Sequence, residues 1–346
     1  MSRRAALRFL QSGLVASAAS VALPSFARSA EKKDKRPVAL LVPLTGPRAQ
    51  LGLSMRQAAL LAENSAFVLA FDTGGTAAGA AAAAAKALKQ HPAMILGPLL
   101  AEEVPAVSST VARRVPIIAF SNDAVLRQPG TWIFGITAGQ VTSAILRYAR
   151  GRGVKSVAVI DDGSPWSVAA ALSAGQMESE LGLAIRVLEV KSGQPLPTAG
   201  DAPDAVLLPG SGEAVLAAAR NLRDTGIQFL GTLQGLDHRP QALEALDGAW
   251  IAAPDPNAFG TFASEFAARN GGNPGTITAL AYDAAGIVNT LRGNNVLNTQ
   301  GLLDGKGFHG VTGPVRFRTD GSVARDFAIL VARKAGYEPV AVSSGS

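Results

Sequence analysis

The sequence predicts an α/β protein of two lobes, each with a mostly parallel sheet flanked by helices and with a hinge of crossing segments between them. Short, almost wholly apolar runs alternate with longer helix-like segments along most of the 346 residues. Such runs are buried on both faces, which is typical of parallel strands covered by helices. The alternation occurs in two series, and the chain returns to further helices and strands after the second. Two α/β units are therefore expected.

The first series of elements precedes residue 121. Its predicted strands are 38–44, 66–72, 93–96 and 116–120. Its predicted helices are 53–63, 76–90 and 101–114. The second of these helices is rich in alanine, and the chain has few aromatic residues (5%), which suits close packing of small side chains between helices and a sheet.

The second series follows a short apolar run at 131–136. Its predicted strands are 156–161, 184–190, 204–210 and 228–232, and its predicted helices are 164–181 and 213–225. Another short run, 248–254, ends the series. The tail predicts helices at 258–270 and 276–292, then strands at 313–317 and 326–332. The last two strands flank a turn with the sequence Thr319-Asp320-Gly321.

The first 27 residues have the pattern of an export signal. A basic region with three arginines precedes an apolar stretch over 9–23. Ser25-Phe26-Ala27 then fits signal-peptidase cleavage after Ala27, with cleavage after Ala30 as the alternative. We expect residues 28–36, which include the charged run 31–36, to be a linker, and the mature protein to be exported to the periplasm.

The arginines of this segment also bear on the export route. The pattern Ser2-Arg3-Arg4-x-x-Leu7-Arg8 is similar to a twin-arginine signal, with Ala6 where phenylalanine is usual. An ordinary secretory signal is the alternative. The apolar stretch is interrupted by Gln11 and by serines, which makes it too weak for a membrane span. No stable span is therefore expected once the signal is removed.

Composition excludes several classes of function. The chain has no cysteine, which excludes disulfides, thiolate metal sites, thiol catalysis and cysteine lipidation. Removal of residues 1–27 lowers the net charge from +6 to +3, because that segment holds three arginines and no acid. The remaining charge is mild and the basic residues are scattered, so no nucleic-acid partner is expected.

Enzyme signatures are weak. The three histidines, His91, His238 and His309, are dispersed and form no metal-binding spacing. The glycine-rich segment 72–80 lacks the Gly-Lys-Ser/Thr of a phosphate loop, and no Gly-x-Ser-x-Gly elbow is present. The adjacent acids at 102–103 and 161–162 are expected to be surface groups in first helical turns. We therefore predict no enzyme, no cofactor and no metal site.

Polar loops after the predicted strands are the remaining candidates for a site. They are 45–52, 99–103, 121–123, 162–166, 210–213 and 234–238. Ligands of open α/β sheets bind at the carboxyl ends of strands. Three of these loops belong to each series, so a cleft between two units could close on a small polar molecule.

Several motifs occur in the order found in one known family. They are LLVPLTGPRAQLGLSMRQAALLA (40–62), MILGPLLAEEVPAV (94–107), VPIIAFSND (115–123), ALAYDAAGIV (279–288) and GFHGVTGPVRFRTDGSVARDFAILVA (307–332). Together they resemble the type I periplasmic ligand-binding proteins, best known as the branched-chain amino-acid receptors of ABC importers. The resemblance implies lobe 1 over 37–134 and 252–325, and lobe 2 over 135–251 and 326–341.

The resemblance also implies ligand-binding roles for loops of the first lobe. Gln50 and Leu51 would approach the ligand. Leu100 and Ala101 stand where a serine often binds the ligand carboxylate, so only backbone groups could serve there. Ser121, Asn122 and Asp123 stand where a backbone carbonyl and a hydroxyl would hold an ammonium group.

The second lobe contributes three further candidates. Trp166 matches an aromatic residue that closes over the ligand, and Gln234 lies near a position that is often acidic. Ser211 lies in the polar loop 210–213, where it could instead cap the next helix. Packing at a helix start is the alternative role for Trp166, and an ordinary loop position is the alternative for Gln234.

Two partners are consistent with the resemblance. A receptor would bind an amino acid or a similar small polar ligand and deliver it to an ABC permease. Alternatively, the Pro-Leu-Thr-Gly opening and the Phe-Ser-Asn-Asp stretch are similar to penicillin-binding-protein activators, which bind a peptidoglycan synthase. Known activators are typically lipid-anchored, and this chain has no cysteine for an anchor.

The stretch Ile117–Asp123 is ambiguous in the sequence. A buried strand ends without glycine in Ser121-Asn122-Asp123. Ser121 or Asn122 could cap a short helical turn, since serine and asparagine are preferred capping residues. Ser121 and Asp123 could also face the cleft as one wall of a ligand pocket, and the two roles are compatible.

Overall fold

A computed structural model describes residues 34–190, 201–210 and 212–345. The predicted export signal lies outside these residues, as does Ser211. The described part contains two β-sheets flanked by helices, so the predicted fold class is confirmed.

The first sheet has five parallel strands in the order β2-β1-β3-β4-β5. These strands are β1 Val38–Val42, β2 Val68–Asp72, β3 Met94–Leu96, β4 Ile117–Ala119 and β5 Thr131–Ile133. Its helices are α1 Ala49–Ala62, α2 Ala77–Leu88 and α3 Glu103–Val111. The four apolar runs predicted as strands and the three predicted helices are all present, with shorter strands.

Small side chains let the helices approach this sheet closely. The alanine-rich α2 buries four alanines, which pack with α3 against one face of the sheet. On α1, Gly52 lies so close to β1 that a Cβ atom there would stand 1.8 Å from the Pro43 carbonyl oxygen. Any side chain at Gly52 would therefore push α1 away from the sheet.

The chain enters the second unit through α4 Ala138–Gly151, a helix that the sequence pattern does not predict. The second unit then adds β6 Ser156–Asp161, α5 Pro165–Gln176, α6 Glu178–Leu181, β7 Ala184–Glu189, β8 Ala205–Leu208, α7 Glu213–Leu222, β9 Gln228–Thr232, α8 Pro240–Ala245 and β10 Trp250–Ala253. The predicted helix 164–181 is thus two helices, α5 and α6.

The remainder of the chain supplies elements to both units. These elements are α9 Pro256–Asn270, α10 Thr276–Gly293, α11 Thr299–Leu302, β11 Phe308–Gly310, β12 Gly313–Phe317, β13 Val323–Arg333 and β14 Gly336–Gly345. Helix α10 packs along α1, beside the first sheet. The predicted hairpin is present, with Phe317 of β12 opposite Val323 of β13.

The second sheet has the order β11-β12-β13-β10-β9-β8-β6-β7, and β14 pairs with β13. Strands β7, β6, β8, β9 and β10 are mutually parallel, whereas β13 is antiparallel to its neighbours. The hairpin strand β12 therefore belongs to this sheet, although the inferred lobe boundaries place 313–317 in lobe 1. Those boundaries stay a prediction.

The chain crosses between the two units at 134–137 and again at 254–255. The turn 318–322 joins β12 to β13 within the second sheet and lies beside β5 of the first sheet. The Trp132 indole N–H donates to the Arg318 carbonyl over 2.7 Å, and Ile133 N donates to Gly321 O over 3.2 Å. Gly321 has a φ of +88°, and a Cβ there would lie 2.5 Å from the Gln128 carbonyl oxygen. Both the turn and the close contact therefore require glycine.

Candidate functional site

A cavity of about 220 Å³ lies at the carboxyl ends of the first-sheet strands. The loop after β1 contributes Arg48 and Leu51, the loop after β3 contributes Leu99, Leu100 and Ala101, and the loop after β4 contributes Phe120, Ser121 and Asn122. The first crossing segment adds Gly135 and Ile136, α10 adds Thr276, Ile277 and Leu280, and the loop after β9 adds Leu233. This is the position at which an open parallel sheet binds ligands.

Five of the ten predicted site residues line this cavity. They are Leu51, Leu100, Ala101, Ser121 and Asn122. Four others, Gln50, Asp123, Trp166 and Gln234, do not line it, and Ser211 lies outside the described residues. Gln50 is exposed on the first turn of α1, next to Leu51. Whether these residues contact a ligand stays a prediction.

The loop after β4 is organised by hydrogen bonds among its own residues. The Ser121 hydroxyl accepts from Asp123 N over 3.2 Å, and an Asp123 carboxylate oxygen accepts from Val125 N over 3.1 Å. Asp123 is thereby the N-cap of a 3₁₀ turn at 124–126. Ser121 is buried and faces the cavity, whereas Asn122 is exposed at its rim. A capped turn is present, as one predicted role requires, but its cap is Asp123 and not Ser121 or Asn122.

Close packing holds the same loop against the first crossing segment. A Cβ on Gly135 would lie 2.3 Å from the Ser121 carbonyl oxygen and 2.5 Å from that of Phe120. Only glycine allows this approach. The wall of the cavity is thus continuous with the segment that leads to the second unit.

The loop after β3 is held from behind by a buried carboxylate. Glu103 is fully buried, and one of its oxygens accepts from Leu100 N over 3.0 Å. Burial raises the pKa of this carboxyl, and hydrogen bonds from Thr73 and the Leu100 backbone oppose the shift. The sequence pattern predicts a surface acid at Glu103; the structure corrects this. Glu102 is exposed, as expected.

The loop after β1 is fixed by Asp72, at the end of the neighbouring strand β2. Its carboxylate accepts from Leu44 N (2.8 Å), Thr45 N (3.2 Å), the Thr45 hydroxyl (2.6 Å) and Gly74 N (2.8 Å). Burial alone would raise the pKa of Asp72, but these hydrogen bonds outweigh it and lower the pKa. Thr45 therefore serves the turn that follows β1.

Trp166 and Gln234 meet at one residue of the second sheet. The Trp166 indole N–H donates to the Thr232 hydroxyl over 3.2 Å, and Gln234 N donates to the same oxygen over 3.3 Å. The Thr232 hydroxyl in turn donates to the Pro209 carbonyl. Trp166 is half-buried and Gln234 is exposed. Of the loops after second-sheet strands, the described cavity lining includes only Leu233.

Two polar or charged residues of the cavity were not predicted from the sequence. Arg48 is exposed at its rim and makes no ion pair among the described residues. It lies within the predicted polar loop 45–52, and its charge was the signal that could have identified it. Thr276, the first residue of α10, follows no predicted strand, so nothing in the sequence pattern pointed to it.

The backbone of Ala101 is the group that the sequence predicts for this position. Its N–H makes no hydrogen bond within the described part of the chain.

A larger depression of about 520 Å³ lies where α4 and α5 meet the β12–β13 turn at 318–322. Two of its arginines are paired with carboxylates: Arg127 with Asp320 at 3.6 Å, and Arg147 with Glu180 at 2.6 Å. Its cations are therefore largely neutralised, and we place the candidate site in the smaller cavity.

Metal-binding groups and membrane-spanning helices are both absent from residues 34–190, 201–210 and 212–345. No three histidine, aspartate or glutamate side chains there form a group suited to a metal ion. In the same residues, no helix combines the length and the apolar character needed to cross a membrane.

Two mostly parallel sheets with a cavity at the strand ends define a two-lobed ligand-binding protein. The chain belongs to the periplasmic binding protein family, whose model matches residues 36–337. The resemblance found in the sequence motifs is confirmed. No curated protein sequence matches the chain.

Solved structures of this fold cover nearly the whole chain. A protein described as a branched-chain amino acid ABC transporter from Rhodospirillum rubrum has a TM-score of 0.72 and 20% identity, over 88% of this chain and 99% of the other. LivJ from Streptococcus pneumoniae, solved in complex with isoleucine, has a TM-score of 0.58 and 19% identity, over 90% and 99%. The C-domain of LpoA from Haemophilus influenzae, a regulator of PBP1A, has a TM-score of 0.71 and 16% identity, over 88% and 100%. At these identities the likeness shows the fold.

Proposed function

We propose that this protein is a periplasmic receptor that binds a small ligand of the amino-acid type between its lobes and delivers it to an ABC importer, without catalysing a reaction. The cavity at the carboxyl ends of β1, β3 and β4 carries the proposal. Apolar side chains form most of its lining, and a few polar groups converge on it, which is the usual composition of a small-molecule site.

The size of the cavity limits the ligand. A volume of about 220 Å³ is below the roughly 300 Å³ at which pockets for drug-sized molecules begin. A molecule with a short apolar chain and one polar end matches this space. Leucine and its relatives have that shape, and LivJ is described as binding isoleucine.

Binding can be tested by thermal unfolding of the purified protein with a panel of amino acids, amides and small acids. A ligand at 100 times its Kd adds about 2.7 kcal/mol to the free energy of unfolding. At roughly 2–4 °C per kcal/mol, the melting temperature should rise by about 5–10 °C. A matched variant, Ala101→Trp, fills the cavity from an exposed loop and should abolish the shift. No shift with any compound would contradict the proposal.

A second candidate function is regulation of a peptidoglycan synthase. The second unit contributes only Leu233, from a loop after β9, to the described lining of the cavity, which is little for a lobe that must close on a ligand. The LpoA C-domain, described as a regulator of PBP1A, has the same fold. This candidate predicts that Ala101→Trp binds a purified synthase as strongly as the unchanged protein does. A receptor predicts no synthase binding by either.

A further inference from the structure

The charges around the cavity favour a ligand that keeps the carboxylate of an amino acid and lacks its ammonium group. An amino acid presents a carboxylate and an ammonium group, and each needs a partner when it leaves water. The carboxylate needs cations or hydrogen-bond donors. The ammonium group needs a carboxylate or several well-placed oxygen atoms.

Donors for a carboxylate are present. Arg48 lies at the rim and makes no ion pair among the described residues. The Ala101 N–H also makes no hydrogen bond within the described part of the chain. The Ser121 hydroxyl accepts one hydrogen bond, from Asp123 N, and its own proton has no acceptor in the described structure. The lining therefore offers a guanidinium group, an amide N–H and a hydroxyl as donors for an anion.

A negatively charged partner for an ammonium group is absent from the described lining, whose side-chain oxygens are those of Ser121, Asn122 and Thr276. Neither aspartate nor glutamate occurs among the described residues that line the cavity. Three acids follow lining residues in the sequence, but none faces the cavity. Asp123 caps the turn at Val125, Glu103 is buried behind Leu100, and Glu102 is exposed outside the lining.

Apart from Asn122 and Thr276, the rest of the lining is apolar on both sides of the cavity. Leu51 and Leu100 belong to loops of the first sheet, Ile277 and Leu280 belong to α10, and Leu233 follows β9. An unpaired ammonium group among such side chains loses its hydration without compensation. A hydrocarbon chain placed there instead gains by leaving water.

We propose that the ligand is a small apolar carboxylate without an amino group, held by Arg48 and the Ala101 N–H. This inference rests on the proposed ligand-binding function and replaces the amino acid by a carboxylic acid of similar shape as the ligand. Short branched carboxylic acids and 2-oxo acids of about four to eight carbons have the required chemistry. Arg48 is then the residue that determines specificity for the anion.

Four probes with one carbon skeleton separate the chemical groups. They are 4-methylpentanoate, 4-methyl-2-oxopentanoate, leucine and 4-methylpentanamide, each titrated calorimetrically into the full purified protein. We expect at least one of the two acids to bind roughly tenfold or more tightly than both leucine and the amide, because the unpaired ammonium of leucine and the missing charge of the amide each weaken binding. Straight and branched acids of three to eight carbons extend the series.

Two variants test the role assigned to Arg48. Arg48→Gln should weaken binding of the acid by about ten- to a hundredfold, the loss expected for one charge-assisted hydrogen bond. Arg56→Gln is the matched control, because Arg56 is an exposed arginine on α1 outside the cavity lining. It should bind the acid as the unchanged protein does.

The outcomes separate this inference from the proposed function. Leucine binding as tightly as the acids, or equal acid binding by Arg48→Gln, would overturn the inference and leave a small-molecule receptor intact. Binding of amino acids or amides with no binding of any acid would have the same meaning. If no compound of any class binds, both the inference and the receptor function fail.

Discussion

Asp283 and Arg325 are connected through a single hydroxyl group, that of Thr312. The hydroxyl donates to an Asp283 carboxylate oxygen over 2.5 Å and accepts from the Arg325 guanidinium. The guanidinium also donates to the Phe134 carbonyl over 2.8 Å. Asp283 lies on α10 beside the first sheet, Arg325 on β13 of the second sheet, and Phe134 in the first crossing segment. One buried network therefore joins both units at their connection.

Burial shifts both ionisable groups of this network towards neutrality. It lowers the pKa of Arg325 to about 10, and the nearby Asp283 charge counteracts part of that shift. It also raises the pKa of Asp283, against hydrogen bonds from Thr312 and Val311. The pairing and the hydrogen bonds offset part of the cost of burying both charges.

Arg325→Met should therefore be strongly destabilising. Removing one partner of a buried charge network costs about 3–5 kcal/mol, because the other charge stays buried without compensation. Urea unfolding measures the loss. Arg316→Met is the matched control on the neighbouring strand, since the Arg316–Asp326 pair (3.1 Å) is partly exposed and should be worth about 0–1 kcal/mol. Equal losses in the two variants would contradict the account.

Two substitutions of Asp123 distinguish the effect of its capping hydrogen bond from the effect of its negative charge. Asparagine caps a helical turn about as well as aspartate, whereas alanine does not. If Asp123 acts as the cap seen in the structure, Asp123→Asn should keep the stability and ligand affinity of the unchanged protein. Asp123→Ala should then lose about 0.5–2 kcal/mol of stability. Thermal unfolding and calorimetric titration measure the two effects. If both variants lost ligand binding to the same extent, the carboxylate would be a ligand contact.

Glu103 should make stability fall as pH rises. The folded-state pKa of this carboxyl is raised above its usual value of 4.5. Below about pH 4.5 the group is protonated in both states, and its contribution is fully present. As pH rises further, the carboxyl ionises in the unfolded chain while burial still keeps it protonated in the folded protein. The contribution to stability is therefore lost as pH rises through the folded-state pKa.

Glu103→Gln should remove this pH dependence. The glutamine carbonyl can still accept from Leu100 N, so the cavity loop should be retained. Urea midpoints from pH 4 to pH 8 should show the unchanged protein losing stability relative to this variant as pH rises. Glu102→Gln, at the exposed neighbour, should show a constant difference. A pH-independent difference for Glu103→Gln would contradict the assigned burial effect.

The strands and the cavity loops could be predicted because each depends on a local pattern. Short, continuous apolar runs such as 38–44 and 116–120 are typical of parallel strands that are buried on both faces. Polar residues directly after them must lie at the carboxyl edge of the sheet. The sequence pattern alone therefore predicts that the loops carrying Leu51, Ala101 and Ser121 lie near one another.

Helix α4 and strand β14 were not predicted. Helix α4 carries a helical pattern that was missed, since Val141, Ile145 and Ala149 recur at helical spacing and are buried, although Gln140, Thr142 and Ser143 are buried as well. A second local signal is a capping box, in which Thr137 and Gln140 bind each other's backbone. Strand β14 contains Glu338 and Pro339 and is paired only with β13, an edge position that tolerates both residues.

The central claim is that the cavity beside Ala101 holds a small molecule. The most direct test is calorimetric titration of the purified protein and of its Ala101→Trp variant with the same panel of small carboxylates and amino acids. We predict saturable one-site binding of at least one compound to the unchanged protein and none to the folded variant. Equal binding to both proteins, or no binding to either, would contradict the claim.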